Sequence, residues 1–136
     1  NEYQNPLKLK EGLLVGFFLG GLVILGSMQS WWLEPIITKL DSIFLFTASI
    51  GLTAIADNAA ITYLGSLVPS LSDGSKYSLV AGAVAGGGLT VIANAPNPAG
   101  YGILNPAFGK DGINPLMLFI YALPFTLIAA AAYWFL

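Results

Sequence analysis

Three stretches of this chain carry no charged side chain: residues 12–33, 77–109 and 112–136, runs of 22, 33 and 25 residues. About 20 consecutive apolar residues cross a bilayer as a helix. A helix of that length in the core of a water-soluble protein carries a polar stripe. Only 9% of the 136 residues are charged, against roughly 25% in an ordinary soluble domain. The chain therefore reads as a membrane protein.

What is missing narrows the chemistry. The sequence holds no His, no Cys and no Arg. That removes Cys/His zinc sites, haem ligation by His, Cys nucleophiles and the Ser-His-Asp triad. Five Lys against seven acids is the wrong balance for gripping phosphate backbones, so no nucleic-acid partner is expected. The first apolar run ends in Ser30-Trp31-Trp32 rather than a small-residue cleavage site, which favours a spanning helix over a signal peptide. A chain that starts at Asn1 rather than Met is expected to be a piece of a longer protein.

Read in order, residues 12–33 form a spanning helix whose Trp31 and Trp32 suit the interfacial aromatic belt. Residues 42–71 are apolar but hold Asp57-Asn58 at their middle. This segment is either one crossing with a buried acid or two short helical arms meeting at Asp57-Asn58 as a re-entrant hairpin. Asp and Asn favour caps and turns, which supports the hairpin. Residues 77–109 form a broken helix. Gly86, Gly87 and Gly88 weaken it, and Pro96 and Pro98 remove two backbone donors and disfavour helix at Ala95 and Asn97. The expected unwound stretch is Asn94 to Gly100. Residues 115–136 form a final spanning helix.

The two polar breaks, at Asp57-Asn58 and at Asn94 to Gly100, are the same kind of feature. Interrupted membrane segments point to a transporter site, where freed carbonyls and half-helix ends coordinate ions. Asp57 is the one ionisable residue deep inside an apolar segment, and such a carboxylate is costly unless paired, protonated or bound to a cation. No Lys lies in these spans to pair with it. A proton and a small cation such as Na⁺, bound in turn, would make an exchange cycle. Candidate ion- and proton-binding residues are Asp57, Asn58, Thr62, Thr90, Asn94 and Asn97, with Asp57, Asn58 and Asn94 the candidate Na⁺ ligands, because neutral hard oxygens suit an alkali cation. Each has a plainer reading. Asp57 could sit in a wet loop, Pro96 and Pro98 in an ordinary connection, and Thr62 and Thr90 could bond back to their own helices. Gly16/Gly20 and Gly82/Gly86 match a small-xxx-small helix-packing pattern.

These residues resemble a known family. Ala56-Asp57-Asn58-Ala-Ala-Ile-Thr62, followed by Gly86-Gly-Gly-Leu-Thr90-Val-Ile-Ala-Asn94-Ala-Pro-Asn97-Pro, is similar to one repeat of the ion transporter superfamily of sodium/proton antiporters, arsenite permeases and sodium/dicarboxylate symporters. The nearest likeness is to the C-terminal region of the putative Na⁺/H⁺ antiporter family. The resemblance implies a fold: an all-α membrane protein made of a spanning helix, a re-entrant helical hairpin, a broken helix and a terminal spanning helix. That unit is one half of an inverted-repeat transporter. It implies Na⁺/H⁺ antiport by alternating access, with no enzyme activity and no cofactor beyond the transported ions. It also implies a bacterial cytoplasmic membrane as location. The partners expected are the lipid bilayer and a second half-site, supplied by a missing N-terminal repeat or by a second copy in a homo-oligomer. The sodium/dicarboxylate members carry Ser-Asn-Thr where this chain has Asp57-Asn58. An acid there disfavours anionic cargo, so arsenite- or dicarboxylate-type transport stands as the alternative, beside a non-transporting membrane scaffold that pairs through its glycine faces. An intramembrane aspartyl protease needs two facing acids, and Asp41, Asp73 and Asp111 all fall in short polar connections.

Overall fold

A computed structural model describes residues 9–135, with the side chain of Glu11 left aside. Among the described residues the chain is helical throughout. It runs α1 (Leu9–Gly26), α2 (Ser30–Ile37), α3 (Ser42–Ala56), α4 (Asn58–Ser66), α5 (Asp73–Gly86), α6 (Asn97–Leu104), a 3₁₀ turn (Asn105–Phe108) and α7 (Pro115–Phe135). Local chemistry sets several of these ends. The Asp41 side chain accepts the Phe44 N–H at 2.7 Å and starts α3. Ser72 does the same for α5 through the Ser75 N–H at 3.1 Å.

The centre of the fold is the seam between α3 and α5, which run side by side in the same direction. Phe46 and Ser49 face Gly82, and Ile50 and Thr53 face Gly86. A Cβ at Gly82 would overlap the carbonyl oxygen of Phe46, and one at Gly86 would stand 2.6 Å from that of Ile50. Glycine is required at both positions because the two backbones meet there. α4 then turns back. It lies antiparallel to α5, with Asn58 beside Gly87 and Gly65 beside Leu79. α3 and α4 thus form a helical hairpin with Asp57 at its tip.

α7 returns along α5. Phe46, Ala81, Ala85 and Ala130 make one buried cluster, the rings of Phe46 and Trp134 stand 5.3 Å apart, and the Tyr77 hydroxyl donates to the Tyr133 carbonyl at 2.7 Å. A second cluster of Leu33, Val68 and Leu71 holds α2 against the return from α4. The starts of α3 and α5 and the end of α7 therefore share one end of the molecule, and the hairpin tip lies toward the other. α7, 21 residues long, is the one described helix both long and apolar enough by itself to cross a membrane. Much of the surface is apolar, with Phe17, Trp31 and Phe135 each at least 75% exposed.

Three boundaries differ from the sequence reading, one being the start of α5, which is Asp73 rather than residue 77 because Ser72 caps the helix there. The helix expected over 12–33 is not continuous: α1 ends at Gly26, and α2 leaves at 78° to it. The break falls at the Gly26-Ser27 pair, where Ser27 Oγ donates back to the Ile24 carbonyl at 2.8 Å, and a distant side chain packs against it. The Tyr63 ring stands 2.7 Å from where a Cβ of Gly26 would be, and its hydroxyl donates to the Val23 carbonyl at 3.0 Å. The unwound stretch also lies earlier than Asn94 to Gly100. α5 ends at Gly86, residues 87–96 are turns, and α6 already begins at Asn97. Pro98 falls in the first turn of α6, where a missing N–H costs nothing, so it starts the next helix rather than breaking the last.

Candidate functional site

The hairpin tip and the unwound stretch 87–96 meet. The Asn58 N–H donates to the Ala93 carbonyl at 3.0 Å, and a Cβ at Gly87 would lie 3.3 Å from Asn58 Nδ2. Thr90 Oγ1 donates to the Ala54 carbonyl at 2.7 Å, satisfying an acceptor freed where α3 stops. Asn97 Nδ2 donates to both the Gly87 and the Thr90 carbonyls, at 2.8 and 2.9 Å, and ties the start of α6 to the end of α5. The Asn94 carbonyl accepts the Asn97 N–H at 2.9 Å. Irregular backbone away from water must have its polar groups paired, and these four side-chain and main-chain donors do much of that pairing.

Asp57 stands at the junction. It is 7% exposed and is at once the C-cap of α3 and the N-cap of α4. Its Oδ1 accepts the Ala59 N–H at 2.7 Å. Its backbone has φ 63° and ψ 140°, and it is the one non-glycine residue with positive φ among those described. That region of backbone space is close to glycine-only, and holding another residue there costs about 1–3 kcal/mol. Among the described residues the one ion pair is Lys76–Asp73 at 3.4 Å, so Asp57 has no cationic side chain beside it. No group of three acids gathers around a metal position among these residues either. The donor set at the tip is one carboxylate amid neutral oxygens.

Of the residues singled out from sequence, Asp57, Asn58, Thr90 and Asn97 are tied into this junction, while Asn94 contributes its carbonyl to the Asn97 N–H. Thr62 does not join them through its hydroxyl, which bonds back to the Asn58 and Ala59 carbonyls at 2.9 and 3.2 Å and lies along a cavity of about 500 Å³ between α4 and α5. Gly86 and Gly87 pack closely against the hairpin, while Gly88 has nothing within 4 Å of a Cβ position. Pro96 immediately precedes α6 and Pro98 lies in its first turn. Sequence reasoning missed Thr53, whose hydroxyl is fully buried and has no hydrogen-bond partner. Its one signal in the sequence is its place four residues before Asp57, one turn before the end of α3.

The family model described as "putative Na⁺/H⁺ antiporter" matches residues 1–136, the whole chain. The chain belongs to this family. The antiporter family is one of transporters, and membership makes ion transport across a membrane the setting in which the buried carboxylate is to be understood. No curated protein and no solved structure matches the chain.

Proposed function

We propose that this antiporter-family chain exchanges Na⁺ for H⁺ by alternating access, with Asp57 as the group that binds each in turn. The observation that carries the reading is the position of Asp57: a buried carboxylate without a cationic neighbour among the described residues, at the meeting point of two interrupted helices. Asn58, Asn94, Asn97 and the carbonyls of residues 87–96 complete a shell of hard oxygens, with Thr90 and Thr62 supporting it. An acid with that shell suits a small monovalent cation better than an anion. The hairpin enters and leaves the bilayer on one side, the end that also carries Lys39, Lys76 and the end of α7. A second half-site is supplied by an inverted N-terminal repeat or by another copy of the chain, in a bacterial cytoplasmic membrane.

The test is Na⁺-driven proton movement in proteoliposomes holding the full-length protein. Asp57→Asn keeps the cap on α4 and tolerates the same backbone, but removes the charge. Exchange should fall to background while the protein keeps its thermal midpoint. Exchange at the unsubstituted rate would end the proposal.

A further inference from the structure

Ser49 and Thr53 lie four residues apart on α3 and share one of its faces, and Asp57 follows one turn later as the cap at the end of that helix. All three are buried, at 3%, 0% and 7% exposure. The face that Ser49 and Thr53 share is the one pressed on α5: Ser49 Cβ stands 2.9 Å from the Cβ position of Gly82, and Thr53 Cβ 3.1 Å from that of Gly86. The residue type opposite is glycine at both positions, so no side chain on α5 faces these two Cβ atoms there.

Thr53 is the anomaly in this column. Threonine hydroxyls inside helices ordinarily bond to a carbonyl one turn earlier, as Thr47 does to the Ile43 carbonyl at 2.9 Å and Thr62 to that of Asn58. Thr53 Oγ1 makes no such bond and no other, although it is sealed from solvent. Buried polar groups are almost always satisfied, and an orphan calls for an explanation such as an ion or another functional state. One turn away sits a carboxylate that lacks a cationic partner. Residues one turn apart at a helix end lie close enough for a single cation to take an oxygen from each at about 2.3–2.6 Å.

We propose that the Thr53 hydroxyl is a further ligand of the cation that Asp57 carries. This rests on the transport reading above and adds a donor from the seam between α3 and α5 to those at the hairpin tip. The cation supplies the partner that the hydroxyl lacks among protein atoms, which ties cation binding to the packing of α3 on Gly86.

The experiment is thermal unfolding of the purified full-length protein as a function of Na⁺, since a ligand that binds only the native state raises the midpoint by mass action. Thr53→Val keeps the shape and removes the hydroxyl. Its midpoint without Na⁺ should be no lower than that of the unsubstituted protein, because a buried unpartnered hydroxyl is gone. The Na⁺ concentration giving half of the stabilisation should rise about tenfold or more. Thr53→Ser, which keeps the hydroxyl, should retain the original Na⁺ dependence. Unchanged Na⁺ dependence in Thr53→Val overturns the assignment, and so does an equal loss in Thr53→Ser. Should Thr53→Val not fold, Thr53→Ala set against Thr53→Ser makes the same comparison. Asp57→Asn measured alongside separates the two ideas. If it loses the Na⁺ response and Thr53→Val does not, the Thr53 ligand alone fails; if Asp57→Asn keeps the response, the transport reading fails with it.

Discussion

α1 and α5 carry the same sequence pattern and put it to opposite use. Gly16/Gly20 on α1 and Gly82/Gly86 on α5 both place small residues four apart on one helix face. On α5 that face is filled by the backbone of α3, to the point that a Cβ would overlap a carbonyl oxygen. On α1 neither glycine has any atom within 4 Å of a Cβ position, and the neighbouring Leu13 and Phe17 are 61% and 75% exposed. The pattern marks a helix face able to take another backbone closely. It says nothing of whether that backbone lies among the described residues. In this chain the close approach is spent where two helices must align the hairpin tip with the unwound stretch after α5.

The comparison makes α5 the sensitive side. Gly82→Ala should give the largest structural loss, about 3 kcal/mol, at the upper end of what overpacking costs. The obstacle is the Phe46 carbonyl rather than a side chain that can rotate away. Unfolding in detergent, followed by circular dichroism, measures it, and a variant within 0.5 kcal/mol (about the scatter of neutral surface changes) would mean that the seam is looser than its geometry. Asn97→Ala should come next, at about 2 kcal/mol. It strips the Gly87 and Thr90 carbonyls of a shared donor, and an acceptor left unpaired away from water costs about 1–3 kcal/mol. Faster hydrogen exchange over residues 87–96 and at the start of α6 should accompany that loss. Loss spread evenly over the chain would show that Asn97 does not pin this segment.

How legible these features were depends on whether their cause is local. The hairpin tip could be read because Asp57-Asn58 is a capping pair in an otherwise apolar run, and Asp57 does cap α4. The end of α5 could be approximated from three consecutive glycines. Its start was set too late, at residue 77, because Asp73 and Lys76 looked like a polar loop, whereas Ser72 caps a helix that includes both. Pro96 and Pro98 were weighed as breakers, and the position of Pro98 within the first turn decided otherwise. The bend at Gly26 had a local signal in the Gly26-Ser27 pair, but the packing of Tyr63 against it, through a bond to a carbonyl 40 residues earlier, had none. The strain at Asp57 and the unpartnered Thr53 hydroxyl belong to the same class. Both arise from how α3, α4 and α5 are packed: the four-residue spacing from Asp57 points at Thr53 but says nothing of its missing partner or of the strain.

The smallest expected effect is also the one that best sharpens the contrast between α1 and α5. Gly16→Ala adds a methyl group where nothing lies within 4 Å, in the interior of an 18-residue helix. Alanine is favoured over glycine in a helix by about 0.8–1.0 kcal/mol, because glycine loses more backbone freedom on folding. If the face stays open, the variant should therefore be slightly more stable, by up to about 1 kcal/mol, with exchange activity unchanged. The sign carries the information. A loss of stability in the full-length protein would mean that another backbone rests on Gly16 as closely as α3 rests on Gly82. The glycine faces of α1 and α5 would then be two instances of one packing mode, the first met from outside the described residues and the second from within. A gain would leave α1 as a helix whose glycines meet no close backbone, and would confine tight packing to the seam that carries Asp57.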